Sequence, residues 1–407
     1  MTNSTETTTA SNKPTVIEAL RRFLPAYLRT SPVLSVVQRR AIWAIQHCRT
    51  AMLGGSVYAC ADCDQRHFAY HSCNNKVCPQ CGRGATAQWI ERQQAKRVSA
   101  PYFMVTFTLP SELRPLFFGA SAKDAYDAFF AASSLALKEQ LANPRHLGAT
   151  TSGYSMVLHS WNQQLLVHPH IHCIVPGAGL DAQGNYVEVK NAKHLVPVAA
   201  LRAALRHHFG QQLKARGIDC DPSVWRLKWG VHVQPFGNSD NAIKYLGRYV
   251  SRSVIGDSRI VSISDRAVKF RWKDRAHGDI ERISSIPGEE FVRRYLRHVL
   301  PDKLRGIRHY GFHHPAAKES RQRVRMDSAA RNGKVPPRTS SNPPTPATES
   351  ATEAQVSQAP EPKAKGYPCP CCAKPMRWLY TLPKGWLVGL DPSLGPRPPP
   401  SAIHQPI

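Results

Sequence analysis

Three histidines at alternate positions, His168, His170 and His172, lie in a β-branched run that continues to Val175. Successive side chains of a strand point to opposite faces, so these imidazoles share one face and Ile171 and Cys173 take the other. As neutral buried neighbours they would crowd one another, and a divalent cation is the simplest partner that relieves this. A second constellation is Cys60-Ala-Asp-Cys63 with Cys78-Pro-Gln-Cys81, the facing members about fifteen residues apart. That spacing fits a tetrahedral four-cysteine zinc site, closed and therefore structural. Cys60, Cys63, Cys78 and Cys81 are the expected ligands, and Cys73, His71 or His67 in the intervening loop can replace one of them. A third feature is Lys244-Tyr245-Leu-Gly-Arg248-Tyr249. Residues four apart on a helix sit one turn above each other, so both phenols emerge on one face beside Lys244 and Arg248. Cys369-Pro-Cys371-Cys372 is half of a zinc ribbon with no second pair after it.

These groups combine into one chemistry. A divalent ion held by imidazoles polarises a phosphoryl oxygen, so that a phenolate attacks phosphorus and displaces the 3′-oxygen of the neighbouring sugar. The product is a protein-DNA phosphotyrosine, and a free 3′-hydroxyl can later attack it and rejoin the strands without ATP. A second tyrosine within one turn allows a second cleavage while the first link persists. Charge supports a nucleic-acid partner: 54 Lys and Arg against 28 Asp and Glu give +26, with a pI near 9.9. Between Lys244 and Arg308, sixteen basic residues face eight acidic ones, with Phe270, Trp272, Tyr295 and Tyr310 interleaved. The aromatics suit stacking platforms for single-stranded nucleic acid, or core residues of a small sheet and a helix, and both roles can hold at once. No run reaches the roughly 18 apolar residues of a membrane span, and the polar N-terminus lacks a signal core. The expected location is the cytoplasm.

The elements that must position these groups follow from apolar periodicity. Helices are predicted from Pro14 through Leu28 and from about Leu34 to Arg49, and Tyr102 to Leu109 reads as a buried strand closed by Pro110. A helix covers roughly Ala122 to Ala142. Tyr154 to Trp161 and His168 to Val175 read as antiparallel partners joined by Asn162 to Val167, which brings His159 beside the histidine cluster. A helix over about Val198 to Arg216 precedes a sheet element within Trp225 to Phe236, and the two tyrosines lie on a helix within Asn238 to Val254. Arg259 to Trp272 reads as a small sheet and Glu289 to Val299 as a helix. Few large apolar residues follow Ala316, as expected of a disordered linker. The implied division is a disordered start at 1–12, a helical zinc-binding domain at 13–99 and a nuclease domain at 100–315. A linker at 316–366 and a Cys- and Pro-rich tail at 367–407 complete it.

In this order, Cys60 to Cys63, Ser72-Cys73 through Cys78-Pro-Gln-Cys81, Phe107-Thr-Leu-Pro110 and His168-Pro-His-Ile-His-Cys173 with Val175-Pro-Gly177 form a recognisable series. It continues with Lys244 to Tyr249, Phe270-Arg-Trp-Lys-Asp274 and Ile307-Arg-His-Tyr-Gly311. The series resembles the rolling-circle transposases of the HUH nuclease superfamily, in the bacterial insertion-sequence branch with an N-terminal zinc module. The resemblance implies an α+β fold, a central antiparallel sheet flanked by helices. It matches His170 and His172 to the paired histidines that bind Mg²⁺ or Mn²⁺, and Tyr245 and Tyr249 to the nucleophile helix. A third metal ligand is expected, with His168 the first choice from strand geometry and His159 the second. Single-stranded DNA at the ends of the mobile element and at its target is the implied substrate, with Lys244, Arg248, Arg252, Arg271 and Lys273 expected to hold it. Plasmid replication initiators and relaxases use the same chemistry. In a non-enzymatic zinc-dependent DNA-binding protein, the histidines would be structural and the tyrosines would pack.

Overall fold

The computed structural model describes residues 13–384 apart from 31, 64, 82–83, 95, 238, 251–253, 275–276, 332 and 334–366. The expected disordered start at 1–12, most of the linker and the Pro-rich end lie outside the described residues. In chain order the elements are α1 (Val16–Arg29), α2 (Val36–His47), β1 (Gly55–Cys60), β2 (Arg66–Tyr70), α3 (Gly84–Gln94), β3 (Tyr102–Thr108) and α4 (Ala122–Ala142). Next come β4 (Gly153–Trp161), β5 (Val167–Pro176), β6 (Ala178–Leu180), β7 (Tyr186–Glu188), α5 (Val198–Lys214), β8 (Gly230–Gly237) and α6 (Ser239–Val250). The remainder are β9 (Ile260–Ile263), β10 (Ala267–Asp274), β11 (Ile280–Pro287), α7 (Gly288–Leu296), β12 (Ile307–Gly311), α8 (Lys318–Arg331), β13 (Tyr367–Pro368) and β14 (Pro375–Leu382). They divide into a larger unit, residues 1–46 with 74–334, and a smaller one, 47–73 with 335–407.

The larger unit is organised on a five-stranded antiparallel sheet of order β12-β4-β5-β3-β8. Phe103, Val105 and Phe107 of β3, Met156 and Leu158 of β4, and Ile171, Cys173 and Val175 of β5 fill one face. Against them pack Phe129, Phe130 and Leu137 of α4 with Leu201, Leu205 and Phe209 of α5. Burying each such side chain contributes roughly 1.5–3 kcal/mol, so this face is the main source of cohesion. On the other face Tyr102, Met104, Val157 and Ile174 meet Ala242 and Ile243 of α6. Because β3 is covered on both sides, it reads as a continuous apolar run without alternation.

A second core joins α1 and α7 to the three-stranded sheet β11-β10-β9. Thr15 starts α1 with a reciprocal cap, its hydroxyl accepting from the Glu18 N–H and its own N–H donating to the Glu18 carboxylate, both at 3.3 Å. Val16, Leu20, Phe23, Leu24 and Tyr27 then form the buried stripe. Gly288 opens α7 where a Cβ would lie 2.0 Å from the Phe23 ring, so only glycine permits this approach. Phe270 and Tyr295 are fully buried here and Trp272 packs on the same cluster, while Tyr310 stacks on Tyr154. Phe270 and Tyr295 are core residues, and Trp272 and Tyr310 are half-buried against the clusters they pack on.

Two expectations about the C-terminal third are corrected. Residues 318–331, read as the start of a linker, form α8, which buries Val324 against Val98, Leu180 and Phe312. Residues 367–382, read as tail, supply β13 and β14 to the smaller unit, whose four-stranded sheet has the order β13-β14-β1-β2. Among the described residues no helix is long and apolar enough to cross a membrane.

Candidate functional site

Strand alternation puts His168, His170 and His172 on one face of β5, half-buried between the buried Val167, Pro169, Ile171 and Cys173. His159 of β4 pairs directly with His170 across the ladder. The His159, His170 and His172 rings form a near-equilateral triangle, with centroids 5.3 Å apart (His159 to His170), 5.1 Å (His159 to His172) and 5.0 Å (His170 to His172). One ring nitrogen from each lies within 4.8 Å of the other two. His168 is left out of this triad, although its ring is 5.4 Å from that of His170. The reason is the strand's own rise: His168 and His172 are separated by about 13 Å of backbone at ~3.3 Å per residue, too far to share one ion. Of the two expected third residues, His159, the second choice, is the one grouped with His170 and His172.

Tautomers are set by the surroundings. His170 Nδ1 lies 2.7 Å from the His168 carbonyl, which only accepts, so Nδ1 is the donor in this contact. Donation of the second ring N–H to a backbone carbonyl is how metal-bound imidazoles are held. Thr106 Oγ1 is 3.2 Å from His172 Nδ1, and His159, only 3% exposed, stacks on Trp161 at 4.9 Å. Three imidazole nitrogens suit a divalent transition ion better than Mg²⁺, which prefers oxygen. Further along this face of β4, Ser155 Oγ lies 2.8 Å from His309 Nδ1 and 3.0 Å from His313 Nδ1. Burial holds both histidines neutral, lowering His309 to about 4 and His313 to about 3.

Helix α6 carries the tyrosines. It touches β3, β4, β5 and β8, and Ala242 and Ile243 anchor it on the face that presents the histidines. Tyr245 is half-buried, its ring tilted against Phe236 at 4.9 Å, and the backbone of Tyr249 follows one turn on. The side chains of Lys244, Arg248 and Tyr249, and all of Arg252, lie outside the described atoms. Arg271 and Lys273 are exposed on the outward side of β10, alternating with the buried Val268 and Phe270. Arg271 approaches Glu281 at 3.9 Å, an exposed pair that contributes little.

The expected zinc quartet is divided. Cys60 and Cys63 belong to the smaller unit, and there they face Cys369 and Cys372, with all four sulfurs within 4.8 Å of one another. Cys78 and Cys81 belong to the larger unit, in a turn where the Cys81 N–H donates to the Cys78 carbonyl at 3.3 Å. Cys73 lies half-buried in the smaller unit. The partner of the Cys60 pair escaped local reading because 306 residues separate Cys63 from Cys369. The signal was present as two CxxC-type half-sites, one of them without a following pair.

Residues 19–109 match the family described as "Transposase zinc-binding domain" and residues 153–321 the one described as "Putative transposase". The chain is 37% identical over 324 residues to "Putative transposase y4qJ" of Sinorhizobium fredii, which covers 74% of this chain and 81% of that protein. It is 27% identical over 305 residues to "Transposase for insertion sequence element IS801" of Pseudomonas savastanoi pv. phaseolicola, covering 70% and 73%. No solved structure matches the chain. The chain therefore belongs to the transposases of the IS91 and IS801 type, DNA-binding proteins with a zinc-binding domain at the N-terminus.

Proposed function

We propose that this transposase nicks and rejoins single-stranded DNA through a 5′-phosphotyrosine intermediate, with Tyr245 and Tyr249 as nucleophiles and His159, His170 and His172 as metal ligands. One observation carries the reading: the three imidazoles and the anchoring residues of α6 occupy the same face of the central sheet. When bound, Mn²⁺ or Mg²⁺ supplies Lewis acidity to a phosphoryl oxygen and offsets its charge. The phenol gives up its proton and its oxygen bonds phosphorus as the bond from phosphorus to the 3′-oxygen breaks. The departing 3′-oxygen takes up a proton, leaving a free 3′-hydroxyl and a 5′-phosphate esterified to tyrosine. Attack by a 3′-hydroxyl reverses the step and regenerates the phenol. Lys244, Arg248, Arg252, Arg271 and Lys273 hold the phosphates near the site, in a protein that acts in the cytoplasm on nucleoid DNA.

Denaturing electrophoresis of labelled oligonucleotides tests the nucleophiles. Wild type with Mn²⁺ should yield a protein-linked 5′ fragment that Tyr245→Phe with Tyr249→Phe abolishes, and the single variants separate the two roles. Persistence of the adduct in the double variant would sink the assignment.

A further inference from the structure

The smaller unit brings together two turns of the same construction. Cys60-Ala-Asp-Cys63 follows β1, and the Cys60 N–H donates to the Gln65 carbonyl, five residues on, at 2.9 Å. Cys369-Pro-Cys-Cys372 precedes β14, and the Cys369 N–H donates to the Lys374 carbonyl, again five residues on, at 2.7 Å. The N–H two residues beyond the second cysteine reaches its sulfur in both turns, Gln65 to Cys63 and Lys374 to Cys372. The Cys371 N–H adds a bond to Cys369 Sγ at 3.4 Å.

The two turns face each other across the antiparallel β1–β14 pair, in which Cys60 is opposite Met376. Sulfur separations are 3.5 Å for Cys60 to Cys372, 3.5 Å for Cys63 to Cys369 and 3.8 Å for Cys63 to Cys372. Tetrahedral zinc with bonds of ~2.3 Å places its sulfurs ~3.8 Å apart, whereas a disulfide needs ~2.05 Å. All four cysteines are unbridged. Asp62 and Lys374, one from each turn, pair at 2.6 Å and hold the turns together at the rim.

We propose that Cys60, Cys63, Cys369 and Cys372 bind one structural zinc ion, so that the zinc module of this transposase is built from both ends of its chain. The matches to known families end at residue 321, short of the second pair of ligands. Four protein sulfurs leave no open position, so the ion is structural. The module is complete only once residue 372 has been synthesised, which ties its maturation to a nearly full-length protein.

Zinc content of the purified full-length chain tests the sharing of the ion. Cys60→Ser with Cys63→Ser should lose one equivalent, Cys369→Ser with Cys372→Ser should lose one, and the quadruple variant should lose no more than either pair. Full retention in the Cys369 and Cys372 variant, or a loss of two equivalents that only the quadruple variant shows, overturns the proposal. A second measurement needs no variant: alkylation of the zinc-loaded wild type followed by peptide mass mapping of residues 367–382. The exposed Cys371 should react while Cys369 and Cys372 stay protected until zinc is extracted with a chelator. Equal modification of all three before extraction also overturns it.

Discussion

Replacing His159 and His168 one at a time distinguishes a cross-strand metal site from a single-strand one. Asparagine at either position removes the imidazole while keeping a polar side chain of moderate size. His159 sits opposite His170 and within 4.8 Å, ligand atom to ligand atom, of both partners; His168 lies outside that triangle. Losing even an outer partner of a metal ligand weakens binding ~10–100-fold, so loss of a ligand itself should cost at least ~100-fold. At 100 times its Kd an ion stabilises the fold by ~2.7 kcal/mol. With roughly 2–4 °C per kcal/mol for a unit of this size, Mn²⁺ should raise the melting temperature of wild type and His168→Asn by about 5–10 °C. At that same concentration a 100-fold weaker site gains only ~0.4 kcal/mol, a shift of about 1 °C for His159→Asn. Melting curves over a MnCl₂ series provide the readout, each variant compared with its own metal-free baseline. An equal loss in both variants, or a loss in His168→Asn alone, refutes the cross-strand triad.

Three further outcomes are expected. Burial lowers His298 to about 4 although its nitrogens meet Ser160 Oγ and the Leu165 carbonyl; the unfolded chain then binds protons that the fold refuses below about pH 6.5, so stability falls with pH, by on the order of 3 kcal/mol at pH 4 from this residue alone. Urea unfolding at pH 7.5 and pH 5 checks this, and an unchanged midpoint contradicts it. Gly288→Ala should destabilise by about 1–3 kcal/mol, since the new methyl meets the buried Phe23 ring at the start of α7; unaltered chemical denaturation would show that the α1–α7 contact yields freely. Arg271→Ala with Lys273→Ala should weaken single-stranded DNA binding and reduce the slope of log K against log salt by about 1.4, at ~0.7 per phosphate contact, and an unchanged slope removes β10 from the interface.

What the sequence disclosed depended on how local each signal was. The Ala- and Leu-rich helix from Ala122 to Ala142 was legible because one segment carries its whole pattern. The β4–β5 hairpin was equally plain, since its strands are adjacent and Asn162 marks the turn, its carboxamide accepting from the N–H groups of Gln164 and Leu166. By contrast β12 owes its place to pairing with β4, about 150 residues earlier, and its own five residues state no period. Helix α8 was obscured by composition, because a single fully buried valine, Val324, and two small residues, Ser328 and Ala329, suffice to dock an otherwise Arg-rich segment. The Cys369 half-site was visible, but no rule of spacing links it to a partner 306 residues away.

Alternation along β5 alone points to His168, whereas the ladder beside it brings His159 to the cluster. Alternation selects a face, and the three imidazoles of β5 do share one. An ion, however, needs ligands within ~2–3 Å of a single point, and along a strand residues on one face recur only every ~6.6 Å. Two such neighbours can converge with a third only from an adjacent strand, and His159 holds that place. The backbone beneath the triad is fixed by ladders on both sides, β3 and β4, and by the fully buried Ile171 and Cys173 on the opposite face. The apolar core behind the sheet thus braces the backbone that carries the three imidazoles. Ile171→Ala, which leaves every ligand in place, should cost about 2–5 kcal/mol of stability and also weaken Mn²⁺ binding. Full Mn²⁺ affinity in a folded Ile171→Ala variant would mean that the histidines are positioned by the ion instead of by the core.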